Sequence, residues 1–373
     1  MKVNFYNSNR EYNEKKIEFD TAIQKVIEKG NFILGEQVAQ FEKDIEKYTG
    51  AKYAVGVASG TDALIIASDA LGFKDGKEVI TSPFTFLASA SCIAKHRAKP
   101  VFVDIDEDTF QINADKIEEK INKNTVGILP IHLFDQMSDM DKIMKIAKTH
   151  NLKVLEDAAE AFGMRFKGEG KEYKHSGTIG DFGVYSFFPT KTLGGYGDGG
   201  MIVTNDEDLA KKVKRLRVHG ASKKYHYDYI GYNSRLDTIQ AAILSVKLKY
   251  IDESIKKREA IANLYKERLK DCQYIRLPKS SKNQKQVYYV FNILAEKRDE
   301  LAQYLKENEI GYSIYYPMPL HMQKCFQYLG YKEGDFPIAE KISKQIIALP
   351  IYPEITKEEV EFVCETINKF YKK

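Results

Sequence analysis

The chain has 373 residues, 43% of them hydrophobic and 12% aromatic, with 57 basic against 53 acidic side chains and a formal charge of +4. Its length predicts two domains with ample core, and so small a net charge excludes the footprint of a nucleic-acid binder. Four scattered cysteines without a C-x-x-C pair exclude a disulfide framework or zinc knuckle, and no apolar run reaches membrane-spanning length, so a cytoplasmic setting without metal is expected.

In chain order, apolar periodicity predicts helices over 14–29 and 38–48, joined by a turn around Gly30 and Gly35. From there strand and helix alternate. Short apolar runs at 53–57, 78–81, 100–104, 126–130 and 153–156 read as buried strands. Stretches 61–71, 85–96, 113–121 and 139–149 read as helices between them, and 201–204 as a further strand-like run. A long helix is expected over roughly 236–270, leading to strands at 286–293 and 311–315 and a helix at 356–371. This alternation predicts an α/β fold with a mostly parallel sheet covered on both faces. The expected division is a large α/β domain, 1–245, and a smaller α+β domain, 246–373.

Ligands of such sheets bind beyond the carboxyl ends of the strands. The first strand delivers Ser59, Gly60 and Thr61 where a helix begins, which makes an anion site or simply an N-cap. The second brings Phe86, suited to stacking on a flat heterocycle or to core packing. The strand at 153–156 runs into Asp157 and Glu160. Asp157 either caps the next helix or serves a ligand; against a pyridine ring it would keep the nitrogen protonated. Lys191 lies between an aromatic run and a glycine-rich loop, with Ser186 five residues earlier. A partly dry pocket there lowers an ammonium pKa, as a Schiff-base amine requires, although a solvated loop lysine is the plainer alternative. An anion cradle, a stacking aromatic, a strand-end carboxylate and a lysine are together the contacts pyridoxal 5′-phosphate needs. The run from Gly195 to Gly200 also matches G-x-G-x-x-G, but it opens a strand rather than a helix, which argues against a dinucleotide site.

Eight segments carry a resemblance to a known family: Phe32-Ile-Leu-Gly35, Ser59-Gly-Thr-Asp-Ala63, Thr85-Phe86, Glu156-Asp-Ala-Ala159, Ser186-Phe-Phe-Pro-Thr-Lys191, Gly197-Asp-Gly-Gly200, Gly231-Tyr-Asn-Ser-Arg-Leu236 and Tyr316-Pro-Met-Pro-Leu-His321. Nearly the whole chain is similar to the sugar aminotransferases of the DegT/DnrJ/EryC1/StrS family. These are pyridoxal phosphate enzymes of fold type I, with a mostly parallel seven-stranded sheet sandwiched by helices. The resemblance implies that Lys191 carries the cofactor as an imine and that Asp157 pairs with its ring nitrogen. It implies that Phe86 stacks on the ring and that Gly60, Thr61 and Ser186 hold the phosphate. Glu160 would stand near the ring hydroxyl, where many members carry glutamine.

The family also shares its sites across a homodimer. Asn233 would then reach the phosphate held by the partner subunit, and Arg235 the phosphate or substrate, with a surface salt bridge as the alternative reading of Arg235. Members with histidine in place of the lysine perform dehydration, and Lys191 argues against that branch. The Asn-Ser-Arg-Leu segment looks more like enzymes acting on 3-keto than on 4-keto nucleotide sugars. A dTDP-3-keto-6-deoxyhexose is favoured over UDP-2-acetamido-3-keto-glucuronate, with L-glutamate as amino donor. Tyr225 and His226, beside Lys223 and Lys224, and His321 are candidate substrate contacts; a solvated loop and a structural histidine are their alternatives. A non-catalytic regulator and an NAD-dependent oxidoreductase are the competing functions.

Overall fold

The computed structural model describes residues 1–373 apart from 171, 280, 282 and 373. Helices α1 (Ser8–Glu14), α2 (Lys16–Lys29) and α3 (Glu36–Thr49) lead into β1 (Tyr53–Val57) and α4 (Gly60–Ala70). Alternation continues through β2 (Glu78–Thr81), α5 (Leu87–Lys95), β3 (Lys99–Phe102), β4 (Thr125–Ile128), α6 (Met140–His150) and β5 (Lys153–Asp157). Two short strands, β6 (Arg165–Phe166) and β7 (Lys174–His175), precede β8 (Phe182–Ser186) and β9 (Gly200–Thr204). Helix α7 (Glu207–Leu216), the hairpin β10 (Ala221–Lys223) and β11 (His226–Tyr227), and helices α8 (Thr238–Leu248) and α9 (Ile251–Leu269) follow. The chain finishes with β12 (Ile275–Arg276), β13 (Gln284–Lys285), β14 (Phe291–Ala295), α10 (Arg298–Glu307), α11 (Pro337–Gln345), β15 (Ile346–Leu349) and α12 (Lys357–Lys372).

The principal sheet has the order β1-β9-β8-β5-β4-β2-β3 and seven strands, as expected. Only β9 runs against the rest. Val154, Leu155, Phe182, Val184, Ile202 and Val203 are fully buried, because helices cover both faces of the sheet. A second, antiparallel sheet, β12-β14-β15, packs against α10 and α12. Its core takes in Val3, which bridges to Ile310. The expected division at 245/246 falls inside α8.

Four expected elements differ. The helix at 113–121 is two tight 3₁₀ turns, Ala114–Lys116 and Glu118–Lys120, although Ala114, Ile117 and Ile121 do turn an apolar edge to the core. The helix at 236–270 breaks around Tyr250, whose hydroxyl donates to Glu18 of α2, so α8 and α9 pack on different neighbours. The strand at 286–293 begins only at Phe291, after Tyr288 in the left-handed region at φ 50°. The strand at 311–315 reduces to one bridge, Ser313 with Ala348, and Tyr315 then turns to a cavity wall.

Candidate active site

The carboxyl ends of β1, β5 and β8 converge on a cavity of about 580 Å³. Gly60, Thr61, Phe86, Asp157, Glu160, Ser186 and Lys191 all line it, so seven of the expected positions meet in one place.

Helix α4 forms the anion end. Ser59 is its N-cap, the hydroxyl accepting from Asp62 N at 3.1 Å. Capping therefore occupies Ser59 and leaves the remaining first-turn N–H groups as the anion donors. Gly60 is obligatory there: an added Cβ would lie 2.7 Å from Ser186 Cβ. Close approach of α4 to the end of β8 sets Ser186 beside the helix terminus.

Asp157 ends β5 and is 4% exposed. Its Oδ2 accepts from Ser89 Oγ at 2.7 Å, and its Oδ1 from Ala159 N at 3.1 Å. Burial pushes its carboxyl pKa up, against the Ser89 and Ala159 hydrogen bonds and the charge of Lys191. The strand tip is braced by its neighbour Glu156, which is fully buried. Glu156 accepts from His132 Nε2 at 2.8 Å and from the N–H groups of Gly177, Ile179 and Gly180.

Lys191 Nζ lies 3.3 Å from Glu160 Oε1 and 4.4 Å from the centre of the Tyr289 ring. Burial alone would lower its pKa, but the charge of Glu160, Tyr289 and hydrogen bonds to both raise it above the ordinary lysine value. The expectation of a depressed ammonium pKa is thereby corrected, since the pocket supplies a carboxylate along with its dryness. The second oxygen of Glu160, Oε2, is buried without a partner.

Phe86 stands at the rim, 58% exposed, tilted toward Tyr316 at a centroid separation of 6.4 Å. Asn233 and Arg235 line an adjoining open pocket of about 540 Å³ instead, which shares Ser59 and Asp198 with the main cavity. Tyr225 and His226 lie away from both, exposed on the β10–β11 hairpin. His321 does not line the cavity: it is 1% exposed, held by Glu340 at 3.0 Å and packed edge-on to Phe336. Its burial and the Glu340 bond fit the structural alternative. Ser89, Thr190, Tyr289 and Tyr315 join the site without having been expected. Ser89 sits four residues after Thr85 and bonds to it at 2.9 Å, a spacing that a helical reading of 85–96 could have exposed. Nothing local marks Tyr289.

A model of the DegT/DnrJ/EryC1/StrS aminotransferase family matches residues 13–368. The chain belongs to this family. A pleiotropic regulatory protein of Geobacillus stearothermophilus is 45% identical over 374 residues, covering 100% of this chain and 99% of its own length. The dTDP-3-amino-3,6-dideoxy-alpha-D-galactopyranose transaminase of Aneurinibacillus thermoaerophilus is 42% identical over 353 residues, 95% of each chain. The crystal structure of S. venezuelae DesV, in complex with a ketimine intermediate, superimposes with a TM-score of 0.96 at 34% identity, covering 100% of this chain and 99% of that one.

The cavity fits the cofactor of this aminotransferase family on the chain's own geometry. A helix terminus is kept open by the Gly60–Ser186 contact, a buried carboxylate ends β5, and an amine lies beside a buried, unpartnered carboxylate oxygen.

Proposed function

We propose that the protein transfers an amino group from L-glutamate to a nucleotide-linked 3-keto sugar in the cytoplasm, as a homodimer with shared sites. Its family is one of aminotransferases, and its cofactor is pyridoxal 5′-phosphate. The observation that carries the reading is the opening of Lys191, Asp157 and the Gly60–Ser186 cradle onto one cavity. A dTDP-linked 3-keto-6-deoxyhexose is the favoured substrate, supported by the Asn233-Ser-Arg235 segment and by the Aneurinibacillus relative. The Geobacillus relative's name denotes regulation, but binding alone requires neither Lys191 nor a buried Asp157.

When bound, pyridoxal phosphate supplies an aldehyde to carry the amino group and a ring that draws electrons from the substrate carbon. The α4 N-terminus at Gly60 and Thr61, with the Ser186 hydroxyl, would hold its phosphate. Asp157, braced by Ser89 and Ala159, would keep a proton on the ring nitrogen; an opposite charge there offsets the desolvation that now raises the Asp157 pKa. Phe86 and Tyr316 would bound the ring plane. Lys191 would anchor the aldehyde carbon and, once displaced by an amine, move the proton between that carbon and the substrate. Displaced as the free amine it would be the base, and Glu160 Oε1 at 3.3 Å is placed to hold the ammonium that forms when it takes the substrate proton.

Absorbance of the purified protein tests the reading. A band near about 410–430 nm should bleach toward roughly 330 nm on adding glutamate. Replacing Lys191 with Ala should abolish the band and turnover; full activity in that variant would sink the mechanism. A panel of dTDP- and UDP-linked 3- and 4-keto sugars then identifies the acceptor.

A further inference from the structure

Tyr289 enters the cavity from the loop just before β14, nearly a hundred residues after Lys191, and is held there at four points. Its ring face lies 4.4 Å from Lys191 Nζ. Its hydroxyl shares a hydrogen bond with Thr190 Oγ1 at 3.2 Å. Its N–H donates to the buried Asp135 Oδ1 at 3.0 Å, and its carbonyl accepts from the buried Arg258 Nη1 at 3.4 Å. The side chain is only 7% exposed. Three residues at this junction, Phe134, Asp135 and Tyr288, have φ of 51°, 63° and 50°. Left-handed backbone at non-glycine residues persists only where surrounding contacts over-determine it, and it clusters at ligand clamps and active sites.

We propose that Tyr289 is a positioning residue for Lys191: its ring face holds the ammonium, and its hydroxyl fixes Thr190, the residue that precedes the lysine. The proposal deepens the reading of Lys191 as the cofactor-bearing lysine and rests on it. A lysine stem has four rotatable bonds, and a roomy cavity gives a freed amine many places to go. An aromatic face attracts an ammonium and restricts it to one side of the cavity, beside Glu160. Other groups bear on the same amine. Asp157 and Tyr315 face it across the main cavity, and Tyr6, Arg258 and Glu354 line a small polar cavity on which Lys191 also borders. None of these replaces the ring face, because none offers a π surface in contact with Nζ.

Cofactor-free protein carries the test, since only a neutral amine is acetylated. Acetylation of Lys191 by trace acetic anhydride is followed by peptide mass spectrometry between pH 7 and 11, with solvent-exposed lysines as internal standards. Tyr289→Phe keeps the face, whereas Tyr289→Met keeps comparable volume without it. The Met variant should label about twofold to thirtyfold faster than the natural chain at a given pH, the range a lost cation–π contact spans. The Phe variant keeps the face but loses the hydroxyl that also favours the ammonium, so its labelling should fall between the natural chain and the Met variant. Tyr289→Leu repeats the face-free state should the Met variant not fold. Equal labelling of the face-free and natural proteins overturns the proposal, as does a Phe variant that labels as fast as Met. A natural protein lacking the visible band that glutamate bleaches fails the reading of Lys191 itself. A normal band with unchanged Met labelling fails the ring platform alone.

Discussion

Lys191 is where two opposed effects meet on a single side chain. Dryness favours the free amine, and the Glu160 carboxylate at 3.3 Å favours the ammonium; the carboxylate prevails. Changing Glu160 to Gln should therefore bring the Lys191 pKa down, read as faster acetylation at fixed pH in the cofactor-free protein. Asp157 is the converse case, a carboxylate that burial disfavours until a cation arrives. An Asp157→Asn variant should lose about 10²–10⁴-fold in kcat, since breaking a buried pair costs roughly 3–5 kcal/mol. Equal kcat in the two proteins would contradict its role.

Asp135 gives a pH signature. Burial pushes its pKa up to about 7, partly opposed by the Tyr289 N–H. The unfolded carboxyl ionises near its ordinary value, so between there and about 7 the unfolded chain holds fewer protons than the folded one. Stability must then fall as pH rises through that window, by on the order of a few kcal/mol. In Asp135→Asn the loss should vanish, leaving a flatter plot of Tm against pH. Residues were legible when one short segment supplied both the residue and its context, as with Lys191, Asp157, Ser186 and Gly60. Tyr289 and Asp135 were not, because a fold had to bring 135, 191 and 289 together first. His321, whose motif suggested a substrate contact, is held by Glu340 outside the cavity lining, a placement that only the fold reveals.

Among the elements, the alternating strands were readable because buried parallel strands are short continuous apolar runs. Strand β8 and the helices α7, α10 and α11 escaped a reading that relied on apolar runs, and β15, the apolar run Ile346–Leu349, was also missed. The boundary between α8 and α9 is invisible to periodicity, since both halves are helical and the break shows only where Tyr250 meets α2. The α4 terminus is the element whose geometry is most exacting. A Gly60→Ala substitution drives a methyl into Ser186, and overpacking of this kind costs about 1–3 kcal/mol. Helix α4 or Ser186 must shift, so cofactor retention on dialysis should weaken by about tenfold or more, while Gly170→Ala, with open space around its Cβ and no left-handed backbone, should retain the cofactor.

For the whole molecule, the open pocket around Asn233 and Arg235 adjoins the main cavity through Ser59 and Asp198 and is itself unenclosed. Exposed apolar side chains are plentiful, among them Phe32, Ile33, Phe188 and Ile230. The homodimer with shared sites proposed above would account for both features, and complementation tests that account. Lys191→Ala and Arg235→Ala proteins, each inactive, are mixed under conditions that exchange subunits. Random pairing makes half of the dimers mixed, each with one intact site, so about a quarter of the natural activity should return. No recovery despite verified exchange would mean that each site is built within one subunit.

The bridge between Val3 and Ile310 has a bearing on biosynthesis. The two residues are separated by about 300 positions, and at ribosomal speeds of about 5–20 residues per second the leading segment waits roughly 15–60 s for its partner to emerge. Three residues further on, Tyr6 donates its hydroxyl to the Pro189 carbonyl, two positions before Lys191. The segment that braces the lysine turn is therefore pinned at its Val3 end only after residue 310 has emerged, although Pro189 itself emerges far earlier.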